Sequence, residues 1–343
     1  MKLLVFTQKI DLDDPGLSFF HEWVRELSLH FESVIVICLY RGRYNLPENV
    51  HVLSLGKETG ASRFKYLKNF YSYIWKHRKE YDKVFVHMNQ EYILLGGAFW
   101  KLWGKKIYMW RNHHAGSWLT DLASTFCTKV FCTSRFSYTA KYKKTEIMPV
   151  GVPLLQFAHQ EKTERIPQSL LFLARIAPIK KPDLFIDALM NLRGRFPKLT
   201  GNIYGDPLPE DASYYEQLKR RVTDAHGDSY ITFHKGVPNT ETPTLYGSHE
   251  FFVNLSSSGM YDKTIFEAMA SGCLVIASNE NLRGQIHDDC IFKDKDLPEL
   301  IMKLEKMLRY TSEEREARIR EIRACAEKHS LKILGTRLVQ SMT

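Results

Sequence analysis

Residues 251–278 read FFVNLSSSGMYDKTIFEAMASGCLVIAS. The apolar run Phe251–Leu255 leads into a Ser/Gly loop, Ser256–Gly259. A short amphipathic stretch, Thr264–Ser271, follows, then a glycine and a second apolar run, Leu274–Ala277. Apolar runs of strand length on either side of a helical stretch are the pattern of a parallel sheet buried on both faces.

Working outward, the same alternation fills the chain. Ahead of residue 150 the strand candidates are Lys2–Thr7, Val34–Leu39, Val50–Leu55, Lys83–His87, Lys106–Trp110, Val130–Thr133 and Glu146–Val150. Helices are expected over Leu17–His30, Ser62–Lys79, Ile93–Leu102 and Trp118–Phe126. A polar stretch, Gln156–Gln168, separates the halves. The pattern then resumes with strands Ser169–Ala174, Thr200–Tyr204 and Tyr230–His234 ahead of the quoted segment. Helices are expected near Pro182–Arg195, Ser213–Ala225, Leu297–Leu308, Glu313–His329 and Ser330–Met342. The fold expected is α/β, two Rossmann-like doubly wound parallel sheets with a cleft where the carboxyl ends of their strands converge. The domains expected are 1–155, 156–325, and a C-terminal helix at 326–343 that returns to the first. No repeat of 20–50 residues interrupts the scheme.

Composition narrows the function classes. A chain of 343 residues, 44% hydrophobic and 25% charged, has the balance of a soluble globular protein of two domains. Its longest nearly uncharged apolar run, Tyr92–Trp100, is too short to span a bilayer. No signal-peptide pattern is read at the start, because Lys9 and the acidic Asp11–Asp14 interrupt the apolar segment. The six cysteines are scattered without a CxxC, which points to a reduced, cytoplasmic setting. The net charge of +9 is uneven: residues 1–150 carry 22 basic and 13 acidic side chains, residues 151–343 carry 26 of each.

Several sites are missing. No GxxxxGK[ST], no GxGxxG after a strand, no HExxH, no paired CxxC and no GxSxG is present. Two D-x-D triplets, Asp11–Asp13 and Asp294–Asp296, sit in charged loop-like stretches and read as loop or helix-entry carboxylates.

Arg175 ends the apolar strand SLLFLA and Lys180 follows after IAPI, just ahead of a helix. Two cations at the carboxyl end of a strand, beside a helix N-terminus, suit a diphosphate. The Ser256–Gly259 loop offers backbone N–H groups to an anion, and Glu267, one turn into the next helix, can accept both hydroxyls of a ribose.

With these residues in view, the second half resembles glycosyltransferase family 4 of group 1. ARIAPIKKPDLFIDAL is similar to the family's segment in which an Arg and a Lys hold the donor diphosphate, and IFEAMASGCLVIAS to the end of its E-x7-E motif. MPVGVPLLQF, GNIYGDPLP and FHKGVPNTETPTLYGSHEFFVNLS support the likeness. The resemblance implies a GT-B fold and a retaining, metal-independent transfer from a nucleoside-diphosphate sugar, with no cofactor and no metal. It places Arg175, Lys180 and a cleft histidine in catalysis, and Glu267, Ser258 and Lys235 among the substrate contacts. One departure stands out: the first Glu of E-x7-E falls on Gly259. Asp262 and Lys263 in the same loop are the candidates to replace its contact with the sugar, against a capping and surface role.

The first half resembles the family loosely. Gly16, in the loop after the first strand, is expected to let the backbone approach the diphosphate or the acceptor, against an ordinary turn. His113, in the frame Trp110-x-x-His113, is preferred to His114 as the cleft histidine; His87 ends a neighbouring strand in the same way. Arg63–Lys79 carries six cations and no acid, interleaved with aromatics at helical spacing. It is read either as a core helix with a solvated basic face or as a surface for anionic lipid. The acceptor expected is a glycan or a lipid-linked acceptor, with the protein peripheral on the inner face of the membrane in the second case. No nucleic-acid recognition module is present. Two other readings stay open: an epimerase or phosphorylase on the same fold, and a transferase-like module that binds a nucleotide sugar or glycan without turning it over.

Overall fold

The computed structural model describes residues 1–14, 16–158 and 164–343. The chain divides into two units, 1–151 with 331–343, and 152–330.

In the first unit, strands β1 (Lys2–Ile10), β2 (Ser33–Arg41), β3 (Val50–Ser54), β4 (Lys83–His87), β5 (Lys106–Trp110), β6 (Lys129–Cys132) and β7 (Thr145–Ile147) form one parallel sheet. Its order is β3-β2-β1-β4-β5-β6-β7. Side chains alternate across it, so each strand feeds two cores. Leu3 and Val5 of β1, with Val34 and Val36 of β2, face one core. Leu4 and Phe6, with Ile35 and Ile37, face the other. Helix α1 (Phe19–Ser28) covers the first core with Phe20, Trp23, Val24 and Leu27, an i, i+3, i+4, i+7 stripe. The last helix, α12 (Leu331–Met342), lays Leu331, Leu334, Leu338 and Met342 on that same core. Its end is fastened by Tyr108, whose hydroxyl donates to Met342 O at 2.9 Å. Helices α2 (Arg63–Lys76), α3 (Glu91–Leu102) and α4 (Trp118–Phe126) cover the opposite face.

In the second unit, α5 (Leu155–Ala158) precedes strand β8 (Ile166–Leu173), which is followed by α6 (Pro182–Arg193), β9 (Thr200–Tyr204), α7 (Ala212–Asp224) and β10 (Ile231–His234). Helix α8 (Thr242–Ser248), β11 (His249–Asn254), α9 (Lys263–Ala270) and β12 (Leu274–Ala277) come next, with α10 (Leu297–Leu308) and α11 (Ser312–Lys328) closing the unit. The strand order is β10-β9-β8-β11-β12, all parallel.

Beyond shifts of a few residues at element ends, four differences from the expected elements stand out. Strand β1 does not stop at Thr7 but continues to Ile10, because β2 runs on beside it and pairs Lys9 with Tyr40 and Ile10 with Arg41. Strand β7 ends at Ile147, so Met148–Val150 leave the sheet. Helix α8 was not anticipated: TPTLYGS is seven residues with a proline and a glycine, too short for a periodicity to show. The polar stretch 156–168 is not all linker: Gln156–Ala158 belong to α5 and Ile166–Gln168 begin β8, while 159–163 lie outside the described residues. All six cysteines are free and buried.

Candidate active site

In the second unit the sheet grows from β8 in one direction to β9 and β10, then resumes on the other side of β8 with β11. That reversal is a topological switch point, and ligands of open α/β sheets bind at the carboxyl ends of the strands there. The segments leaving β8 and β11 carry the residues of interest.

Arg175 lies two residues beyond β8 and is exposed, with no hydrogen bond or ion pair among the described residues. Lys180 closes a 3-10 turn, Pro178–Lys180, and Lys181 turns the chain into α6 with φ 56°, Pro182 taking the first helical position. Lys180 Nζ donates to Ser256 Oγ at 3.0 Å and pairs with Asp262 Oδ2 at 2.9 Å. Ser256 Oγ donates to the same carboxylate oxygen at 3.0 Å. Asp262 is the N-cap of α9: its Oδ1 accepts from the Thr264 amide and, at 2.8 Å, from the Thr264 hydroxyl. Burial raises the Asp262 carboxyl, but the Lys180 charge and the bonds from Lys180, Thr264 and Ser256 outweigh it and hold the group far below the usual range.

Helix α9 ends on Gly272, whose φ of 71° lets the chain turn straight into β12. On its buried side Glu267 is 7% exposed, and the Tyr246 hydroxyl of α8 donates to its Oε2 at 3.1 Å. Burial raises the Glu267 carboxyl to about 7; Lys263 and Tyr246 oppose the shift and Asp262 adds to it. Lys263, one turn earlier on α9, is pushed well below the ordinary lysine value by the same burial, opposed by Glu267.

The structure thus brings Lys180, Ser256, Asp262, Lys263 and Glu267 together, with Arg175 leaving the neighbouring strand. Ser258 is tied to the turn after β12: its hydroxyl accepts from the Glu280 amide and its carbonyl from Asn281 Nδ2. Gly259 occupies the turn after it. The Ser256 amide is not available to an anion as expected, because Asn254 Oδ1 takes it at 3.1 Å. Lys235 follows β10, the edge strand, and is exposed. With β9 in between, it starts about 10 Å from the β8 end, two strand spacings away. The sequence reading missed Ser256 as a partner of Lys180, and Tyr246. It also missed Lys181, whose ammonium donates to Leu255 O at 2.9 Å and pairs with Asp294. Of the two D-x-D triplets, Asp294 is held by Lys181 and Asp296 caps α10, while Asp13 pairs with Arg43.

The first sheet has its own switch point, between β1 and β4. Gly16 follows β1; its amide donates to Asp14 Oδ1 at 2.9 Å, and a Cβ there would meet nothing closer than that oxygen at 3.6 Å. His113 follows β5, one strand beyond β4, and is exposed. Its Nδ1 lies 3.0 Å from the Ala115 amide and its ring stacks on His114 at 4.4 Å. His87 is different: it is buried, stacked on Phe20 at 3.9 Å and 3.3 Å from the Thr7 hydroxyl, a core position.

Two parallel-sheet α/β units of seven and five strands define the GT-B class. The whole chain superposes on Anabaena Alr3699/HepE in complex with UDP with a TM-score of 0.80 at 15% identity, covering 100% of this chain and 99% of that one. It matches sucrose-phosphate synthase from Thermosynechococcus elongatus with a TM-score of 0.75 at 13% identity, over 99% and 97%. At these identities the likeness is one of fold. Within the second unit, residues 167–310 match the family of Glycosyl transferases group 1. Over 139 residues it is 30% identical to the GtfA subunit of a UDP-N-acetylglucosamine–peptide N-acetylglucosaminyltransferase from Streptococcus gordonii, 40% of this chain and 26% of that protein. Over 160 residues it is 30% identical to D-inositol 3-phosphate glycosyltransferase of Jonesia denitrificans, 41% and 37%. The chain therefore spans well under half the length of these two relatives.

Proposed function

We propose that the protein is a retaining, metal-independent glycosyltransferase of the family 4 type, moving a sugar from a nucleoside-diphosphate sugar to a glycan or lipid-linked acceptor. The observation that carries this reading is the switch point between β8 and β11. An exposed arginine, Arg175, and an ammonium, Lys180, stand there beside a buried carboxylate, Glu267. Glu267 accepts the ribose hydroxyls, and Arg175 and Lys180 neutralise the diphosphate as it leaves. Two organic cations supply the charge a divalent ion would otherwise bring, which is the ground for metal independence.

In the reaction the bond between the anomeric carbon and the phosphate oxygen breaks, and the acceptor hydroxyl oxygen bonds that carbon on the same face. The hydroxyl proton passes to the departing phosphate oxygen, so no enzyme nucleophile is needed. Asp262 and Lys263 stand where the sugar contact of Gly259 is missing, and His113 is the first-unit group assigned to the sugar. Gly16 gives the backbone room at the acceptor side, and Lys235 is an outlying substrate contact. A lipid-linked acceptor would bring the protein to the inner face of the cytoplasmic membrane.

Gly259 favours a second reading, a module that binds nucleotide sugars without turnover. A panel of UDP-, GDP-, ADP- and TDP-sugars separates the two, with UDP-sugars first because relatives carry that name. Slow release of nucleotide from one donor, unchanged by a chelator, supports transfer. Tight binding without release from any donor, with or without glycan acceptors, would mean the binding module. Anomeric NMR of the product tests retention.

A further inference from the structure

The apolar arc of helix α2 is wider than the sheet can cover. Phe70 and Ile74 are buried on the sheet, and Tyr66 and Tyr73 pack partly against the same core. Phe64, Tyr71 and Trp75 lie on the adjoining flank, about 100° round the helix from Phe70 and Ile74, and stay in solvent: Phe64 is 79% and Trp75 55% exposed. The expected division, apolar face inward and basic face outward, is therefore incomplete, because the outward face is aromatic as well as basic.

The neighbouring helix continues the patch. Tyr71 meets Phe99 with ring centroids 5.8 Å apart, Trp75 meets Trp103 at 5.5 Å, and Phe99 meets Trp103 at 5.9 Å. Leu102, beside Trp103, is 81% exposed. Between the helices runs an open groove of about 520 Å³ lined by Tyr71, Ile74, Trp75, Phe99 and Trp103. Contiguous exposed aromatics of this kind mark an interaction surface.

The charges around the patch say what kind. The side chains of Arg63, Lys65, Lys68, Lys76, Lys79 and Lys101 are exposed and make no hydrogen bond or ion pair among the described residues. The Arg78 guanidinium sits over the Trp75 ring, 5.0 Å from its centroid. Of the nearby acids, Glu80 is turned to His77 and Glu91 heads α3. Aromatic rings at the level of cationic side chains are the layout of an interfacial helix, with rings at the acyl boundary and ammonium groups among anionic headgroups. No helix among the described residues is long and apolar enough to cross a membrane.

We propose that α2 and the end of α3 dock the first unit on an anionic lipid bilayer, Phe64, Trp75 and Leu102 entering the interface and a lipid hydrocarbon chain occupying the groove. The surface belongs to the first unit alone and does not depend on the transfer reading.

The test is flotation of the full chain with vesicles of phosphatidylcholine, with and without one part in three of phosphatidylglycerol. Binding is expected only to the anionic vesicles. Phe64→Ser with Trp75→Ser should weaken it at least tenfold. Lys65→Glu with Lys68→Glu should weaken it about twentyfold or more and reduce its salt dependence. All four positions are exposed, so melting temperatures should stay at the parent's. A brominated lipid should quench tryptophan emission in the parent and less in Trp75→Ser. Failure to bind anionic vesicles overturns the proposal. So does a serine variant that binds like the parent, which would leave attraction of charge without insertion. Binding to a mixed-sequence single-stranded oligonucleotide that is lost in the serine variant, with none to vesicles, would assign the face to nucleic acid instead. None of these measurements reads sugar transfer, so their failure and that of the transfer reading are distinct.

Discussion

Lys180 Nζ lies 2.9 Å from Asp262 Oδ2, a contact that ties the loop after β8 to the cap of α9 across 82 positions of sequence. The cation assigned to a diphosphate is thus already held by a carboxylate. An ammonium has three donors and can serve both, but the carboxylate repels the arriving anion. Asp262→Asn keeps the cap and removes the charge. UDP should then bind about five- to tenfold tighter at low salt, an advantage that shrinks as salt screens it. Calorimetric titration at two ionic strengths measures this; unchanged affinity at both would mean that Asp262 does not compete.

Arg175 offers the cleanest loss-of-function test. It is exposed and has no partner among the described residues, so Arg175→Ala should alter stability by no more than about 0.5 kcal/mol. Transfer or donor hydrolysis should nevertheless fall about a hundredfold or more, since a cation facing the leaving group acts chiefly in the transition state. Lys180→Ala should lose as much activity but also some stability, because it leaves the partly buried Asp262 carboxylate without its cation. A variant at 175 that turns over like the parent would remove the arginine from the mechanism.

What the sequence shows and what it hides divides along physical lines. Strands such as Lys83–His87 and Lys106–Trp110 were readable to the residue because both faces are buried and the apolar run is continuous. That Arg175 and Lys180 both leave the end of β8 was readable, because they follow its apolar run closely in sequence. The partner of Lys180 was not, because the contact joins loops of two strands that only the sheet order brings together. The Tyr246 bond to Glu267 was hidden for the same reason, behind a helix too short to recognise. In α2 the helical spacing of the aromatics was readable, but not which part of the apolar arc the sheet takes; packing against β1, β4 and α3 decides that.

Glu267 makes stability and binding depend on pH in opposite senses. Its carboxyl is raised from 4.5 to about 7, so the folded protein holds that proton more tightly than the unfolded chain. The resulting contribution is fully present below about 4.5 and is lost as pH rises through about 7. Glu267→Gln, which does not titrate, should gain stability relative to the parent between pH 5 and 8, by about 3 kcal/mol at most. Ribose hydroxyls donate, and the ionised carboxylate is the better acceptor, so affinity for a UDP-sugar should rise over the same interval. A nucleotide sugar is the right ligand because its diphosphate is already fully ionised there. A parent affinity flat from pH 6 to 8 would count against Glu267 as the ribose acceptor.

Tyr246→Phe isolates the hydroxyl that donates to Glu267 Oε2. Tyr246 is buried and the ring stays, so packing is preserved. Losing a bond that favours the ionised form moves the Glu267 midpoint upward, by about half a unit to one unit for a bond of roughly 1 kcal/mol. The pH profile of UDP-sugar binding should shift alkaline by that amount, with little change in its plateau.

Two glycines, one at the end of β9 and one in the loop after β1, should respond in opposite ways to alanine. At Gly205 φ is 154° and a Cβ would sit 1.9 Å from the Ala174 carbonyl oxygen, one residue before Arg175. Gly205→Ala must push β9 away from β8, costing about 3 kcal/mol or more and displacing the arginine, so stability and turnover fall together. At Gly16 the nearest atom to a Cβ is Asp14 Oδ1 at 3.6 Å, an ordinary contact. Within its own unit that position has room for alanine, so Gly16→Ala should fold with the parent's melting temperature. If the glycine is there to let a substrate approach the backbone, KM for the donor or the acceptor should rise about tenfold while the fold is untouched. Kinetics of Gly16→Ala identical to the parent's would return residue 16 to an ordinary turn.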